Sequence, residues 1–144
     1  AEMRAYDAAR LAADLRADFL VRRESFCYET VFSHPSKVDF IADAKALGCR
    51  IVLVFIHLAH ANLNLARVAQ RVCTGGHQVP EEKVLARIPR TLEHVRLALP
   101  LCDEVLVFDN SSLEDPFLQV LMLRNGEVVQ QLDPLPEWAE ALIR

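Results

Sequence analysis

Residues 50–58, RIVLVFIHL, constrain the fold of this chain more than any other stretch. The run is almost unbroken in apolar residues and rich in β-branched ones. A strand with one wet face alternates apolar and polar residues. A strand inside a parallel sheet, buried on both faces, does not. The run therefore predicts a strand covered on both sides. Its apolar core, Ile51 to Ile56, is far too short to span a membrane.

Strand and helix patterns alternate around this run. A helix is expected over residues 4–22, with Leu11, Ala12, Leu15 and Phe19 on one face. Residues 25–31 read as a buried strand. A helix follows from Ser36, capped by Ser36 with Asp39 completing the box, and Gly48 ends it. Residues 62–74 are helical, with Leu65, Val68, Ala69 and Val72 turned inward, and Gly75-Gly76 closes them. Pro80, Glu81 and Glu82 suit the first turn of the next helix. Its core face is Val84, Ile88, Leu92, Val95 and Leu99, and Pro89 is expected to kink it. Residues 104–108 form a second buried strand. Residues 117–123 and 127–132 form a hairpin around Asn125-Gly126, a type I′ signal. A short helix starts at Pro136. With no linker or repeat, one domain is expected over residues 1–144. Its class is α/β, a mainly parallel sheet with a C-terminal β-hairpin.

Composition narrows the function. Of the 144 residues 52% are hydrophobic, enough to build a core. The net charge of -4 argues against nucleic acid as a partner, since phosphate backbones select a surplus of Lys and Arg. Cys27, Cys49, Cys73 and Cys102 are scattered and make no CxxC pair. They read as reduced thiols and point to the cytoplasm, with no zinc or other metal site. No signal peptide is seen, and no membrane contact is expected. The chain starts at Ala1 inside a helical pattern, so it reads as the C-terminal part of a longer domain.

Open α/β sheets bind ligands outside the carboxyl ends of their strands. Glu29-Thr30 and Asp109-Asn110-Ser111 close two predicted strands. Between them lies RVAQRVCTGGHQVPEEKVLARIPR, residues 67–90. Arg67 and Arg71 are four apart and share a helical face; Arg87 and Arg90 are three apart and share another. The Gly-Gly turn with His77 joins the two helices into a hairpin bearing guanidinium groups. Phosphoryl transfer needs such groups, because charge builds on the transferring oxygens and a planar, permanent cation clamps it. On periodicity alone, a solvated face beside Glu81, Glu82 and Glu93 accounts for the same arginines. Glu29 alone also suits a surface role, and Asp-Asn-Ser a plain turn. His57 and His60 flank a strand end without a thiol or acidic partner in sequence and read as structural. Neither G-x-G-x-x-G nor GxxxxGK[ST] occurs.

Three stretches, in this order, resemble the zeta toxin family, in particular its bacterial branch of predicted ABC-type ATPases. They are ESFCYETVFSHPSK (24–37), the lid-like segment 67–90, and VFDNS (107–111). The similarity runs from about Arg22 to the C-terminus, and the opening helix is compatible with it. It implies a P-loop kinase fold, truncated here at its N-terminus. Better-studied members phosphorylate a hydroxyl of UDP-N-acetylglucosamine with ATP and Mg2+, and an antitoxin protein is a partner the family suggests. By that resemblance Glu29 and Thr30 lie in the cleft for a small-molecule substrate. Arg71, Arg87 and Arg90 reach the ATP phosphates as catalytic groups, with Arg67 in support. Asp109 and Asn110 sit near the nucleotide base. Where the family lid reads R-R-Y-x-R, this chain has Ala86-Arg87-Ile88-Pro89-Arg90. The family's Walker A loop and catalytic base are expected upstream of residue 1. The chain without them is expected to be inactive. Two other readings remain: a non-catalytic nucleotide- or partner-binding module lacking a P-loop, and an interaction protein held by an antitoxin or sister subunit.

Overall fold

The computed structural model describes residues 2–76 and 78–144; His77, in the expected hairpin turn, lies outside them. A four-stranded sheet in the order β1-β2-β3-β4 forms the centre of the fold. Its strands are β1 (Val52–His57), β2 (Glu104–Asp109), β3 (Leu118–Arg124) and β4 (Glu127–Gln131). The helices are α1 (Glu2–Arg22), α2 (Ser36–Ala46), α3 (Ala61–Cys73), α4 (Glu81–Ala98) and α5 (Glu137–Ile143), with a 3-10 turn at Leu99–Leu101.

Among the described residues, parallel pairing is the minority. β1 and β2 run parallel, whereas β2–β3 and β3–β4 are antiparallel. Two of the expectations fail together here. Residues 25–31 form no strand, so they add no parallel neighbour to β1. The segment alternates only from Phe26 to Glu29, with Phe26 and Tyr28 turned in and Cys27 and Glu29 turned out; Thr30 and Val31 are both exposed, and Phe32 is buried. Its inward residues are held by side chains instead of a ladder. Phe26 packs on Phe19 and Phe40, and the Phe32 carbonyl meets His94 Nδ1 of α4 at 3.1 Å.

The core lies on one face of the sheet. Phe55 of β1, Val105 and Val107 of β2, and Leu121 and Leu123 of β3 point to the same side, against Ile41 of α2, Val95 and Ala98 of α4, and Ala139 and Leu142 of α5. The other face of β1 is open. Val52, Val54 and Ile56 are 48%, 55% and 48% exposed, contrary to the strand covered on both sides that the apolar run implies. Burial pushes the Cys102 thiol up to about 11, helped by the Asp103 carboxylate and opposed by Lys45, so this cysteine is an inert core group. The four cysteines are free thiols.

Element ends follow local chemistry, with two departures. Asn125 and Gly126 both have positive φ, as the type I′ hairpin demands. Gly48, at φ +83°, ends α2, and the Cys49 N–H donates back to the Ala44 carbonyl at 3.0 Å. The expected capping box at Ser36 does not form. Pro35 holds the cap position, and Ser36 Oγ instead meets His34 Nδ1 at 2.8 Å. Helix α4 continues through Pro89 without interruption. The donor that proline lacks would have met the Leu85 carbonyl; Leu85 and Pro89 are both exposed, where solvent can stand in for it.

Candidate functional site

The carboxyl ends of the parallel pair lie side by side, with His57 opposite Asp109. The chain then leaves β1 into α3 and β2 into the 110–117 connection. Asn110 locks this junction and is buried. Its N–H donates to the His57 carbonyl at 2.9 Å, and its Oδ1 accepts from the Phe117 N–H at 3.3 Å. Arg67 of α3 completes the lock by donating to the Asn110 carbonyl at 3.0 Å. Asp109 Oδ1 accepts from the Ser111 N–H at 2.8 Å, and Ser111 Oγ accepts from the Ala59 N–H at 2.7 Å. The DNS turn thus ties the two strand ends together. Arg67, Asp109 and Asn110, three residues singled out from sequence, share one polar cluster.

Helices α3 and α4 pack against each other as a hairpin. The paired glycines that end α3 do separate jobs. Gly75 takes φ +94°, which side chains resist. Gly76 donates its N–H to the Arg71 carbonyl at 2.7 Å, and a Cβ there would stand 2.7 Å from that oxygen. Arg71 is exposed one turn beyond Arg67, and Arg87 is half-buried on α4. Among the described residues none of Arg67, Arg71, Arg87 and Arg90 forms an ion pair. Glu93, offered by the surface reading as a partner, is taken by Arg96 at 3.2 Å. Arg90 folds onto its own helix, where Nε donates to the Ala86 carbonyl at 3.0 Å.

Glu29 and Thr30 stand apart from this cluster in the irregular stretch 24–33, and both are exposed. They are not at a strand end, because that strand does not exist. No hydrogen bond among the described residues joins either one to the strand ends or to the hairpin.

Sequence reasoning undervalued two residues. His57 is 7% exposed and packs against Trp138, with ring centroids 4.2 Å apart and the planes tilted by 43°. Burial pushes its imidazole below the ordinary value, while the Asp109 carboxylate pulls it part of the way back. The acidic partner was invisible in sequence because it arrives through strand register, 52 residues away. Phe117 is an exposed aromatic at φ +55° beside Asn110; only its place after Pro116 hinted at a turn.

The His57 shift has a consequence for stability. A depressed folded value means that the fold prefers the neutral ring, while the unfolded chain titrates near 6.5. The unfolded state then binds more protons between the two values. Stability is whole above pH 6.5 and falls as pH drops through 6.5 towards the lower folded value. Thermal unfolding at about pH 8 and about pH 5.5 is expected to show this loss, and a His57→Leu variant is expected to lose less. Equal losses in both proteins would assign the acid sensitivity elsewhere.

The fold and site define a class: an α/β domain whose arginine-bearing helical hairpin rises beside the carboxyl ends of a parallel strand pair. The chain belongs to the zeta toxin family, whose model, described as Zeta toxin, matches residues 1–115. That match takes in every candidate site residue and stops short of the β3–β4 hairpin. No curated protein and no solved structure matches the chain. Among the described residues, no helix is long and apolar enough to cross a membrane.

Proposed function

We propose that these residues form the lid and part of the ligand cleft of an ATP-dependent phosphotransferase with a P-loop kinase fold, acting on a hydroxyl of a small nucleotide-sugar-like molecule. The observation that carries this reading is the α3–α4 hairpin. Among the described residues it leaves Arg71 and Arg87 without carboxylate partners, and its first helix is tied through Arg67 to Asn110 at the end of β2, the kind of strand end where α/β proteins bind ligands. Family membership supports the same reading. Arg71 and Arg87 suit the polyphosphate of ATP, because an arginine without a carboxylate partner has its N–H donors free to pair with an oxyanion. Arg67 serves them indirectly, by fixing α3 to Asn110. Arg90 joins the clamp only after leaving the Ala86 carbonyl. Glu29 and Thr30 serve the acceptor, and Asp109 and Asn110 border the base.

Among the described residues no group of three or more His, Cys, Asp or Glu side chains could hold a metal ion. No GxxxxGK[ST] occurs in the 144 residues, and in this reading the phosphate cradle and its lysine come from residues outside them. The protein acts in the cytoplasm, with an antitoxin protein as its macromolecular partner.

The test is transfer of labelled phosphate from ATP to UDP-N-acetylglucosamine. The 144-residue chain alone is expected to transfer none, and the same chain extended upstream through a P-loop is expected to transfer it. Turnover by the shorter chain sinks the division of labour; an inert longer protein sinks the phosphotransferase reading.

A further inference from the structure

The carboxyl end of β1 carries a buried imidazole where three elements meet. β1 itself contributes Phe55, whose ring centroid lies 5.7 Å from that of His57. β2 contributes Asp109, the register partner of His57. Paired strands stand about 4.8 Å apart, and register partners point to the same face, so imidazole and carboxylate emerge side by side. α5 contributes Trp138, 4.2 Å from the His57 ring. Trp138 lies beyond the stretch that matches the family, so this contact joins that stretch to the segment after it. Its indole Nε1 is buried and has no acceptor among the described residues. Ring contacts with His57 and with Phe55, at 6.3 Å, hold the indole in place of a hydrogen bond.

The same residues anchor the DNS turn. The His57 carbonyl accepts from the Asn110 N–H at 2.9 Å, and Asp109 Oδ1 accepts from the Ser111 N–H at 2.8 Å. Ser111 Oγ in turn holds the Ala59 N–H at 2.7 Å, just before α3. Other charges on these elements are few and engaged or exposed. β1 carries none. β2 adds only Glu104, at its far end and paired with Arg50. α5 adds Glu137, which is exposed, and Glu140, which is paired with Arg144. Arg67 of α3 spends a donor on the Asn110 carbonyl. Asp109 is thus the carboxylate that acts on the ring, and it already serves Ser111.

We propose that His57 is a proton-operated latch on the junction between β1, β2 and α3. With the ring neutral, Asp109 holds the Ser111 turn, and Trp138 lies against an uncharged face. When the ring takes a proton, both of its nitrogens become donors. A charge-assisted bond is about twice as strong as a neutral one, so Asp109 turns from the Ser111 N–H to the imidazolium. The turn loses that tie, and the hold of Ser111 on the start of α3 loosens. Burial disfavours the charged ring, so the latch opens below pH 6.5. In the phosphotransferase reading this turn borders the nucleotide base, so acid weakens nucleotide binding; that consequence alone rests on that reading.

Trp138 is the one tryptophan of the chain, so its emission reports on the His57 ring. An imidazolium in contact with an indole quenches it. In a dilute solution of the 144-residue chain, without nucleotide, emission is expected to fall on acidification with one midpoint below pH 6.5. The Ser111 amide resonance, followed by NMR, is expected to shift with the same midpoint while far-UV circular dichroism stays native. His57→Gln and His57→Leu are each expected to remove both changes; the glutamine keeps a polar group there should the leucine fail to fold. Asp109→Asn is expected to keep the quenching, at a lower midpoint because the carboxylate no longer attracts the proton, and to shrink the Ser111 shift. A Ser111 shift that survives in His57→Gln, a Ser111 resonance that stays still through the quenching, or two separate midpoints overturns the proposal. Loss of the native dichroism at the quenching midpoint also overturns it, since the event is then unfolding. None of these readouts involves phosphotransfer, so failure of the latch and failure of the phosphotransferase reading are told apart.

Discussion

Placing alanine at Arg71 is expected to lower turnover of the phosphotransfer-competent protein by roughly 10²-fold, with stability changed by only about 0.5 kcal/mol. Arg71 is exposed, forms no ion pair among the described residues, and extends from a helix whose Leu65, Val68 and Val72 are partly buried. Its side chain therefore contributes little to the fold. A guanidinium held near the transferring phosphoryl group interacts most strongly when charge peaks there, so its loss appears in rate. Arg87→Ala is expected to match this in rate at a somewhat larger stability cost, because Arg87 is half-buried. Arg67→Ala should behave differently. It removes the bond to the Asn110 carbonyl, costs about 1.5 kcal/mol of stability, and affects rate only through a looser α3. Measuring turnover and thermal unfolding on the three variants separates the roles. Unchanged turnover in both Arg71→Ala and Arg87→Ala makes these residues surface charges and removes the lid assignment.

The second large effect concerns the open face of the sheet. Among the described residues β1 pairs only with β2, and its outer side presents Val52, Val54 and Ile56 about half exposed. Protected edges carry a charge, a proline or a bulge, and β1 has none of these between Val52 and Ile56. The 144-residue chain is expected to self-associate through β1 as its concentration rises. Val54→Lys, a charge at a position 55% exposed, is expected to weaken association by about tenfold or more without unfolding the chain. Sedimentation across a concentration series measures both. A monodisperse wild-type monomer at high concentration would falsify the edge as an association surface.

The sequence alone determined the elements whose causes are local. The hairpin turn at Asn125-Gly126 was legible because only residues tolerant of positive φ fit there. The end of α3 was legible because Gly75 and Gly76 meet a backbone demand that other residues fail. The helices over residues 62–74 and 80–99 showed in their 3.6-residue period, and the run at 50–58 showed in its apolar density. The three quoted motifs carried the family. The tertiary structure decided what depends on partners remote in sequence. Residues 25–31 read as a strand from their apolar content, yet a strand exists only when a neighbour offers a ladder, and here aromatic packing held the segment instead. The outer face of β1 reads as buried from its composition, but burial is a property of what lies against it. Arg67 and Arg90 look alike in sequence. One reaches a carbonyl 43 residues away and ties α3 to β2, while the other bonds the preceding turn of its own helix. The pairing of His57 with Asp109 depends on parallel register, and the seat of Arg16 over the Tyr28 and Phe40 rings brings together three segments separate in sequence. Charge and shape at a site are sums over neighbours in space, and no period or motif within one segment encodes them.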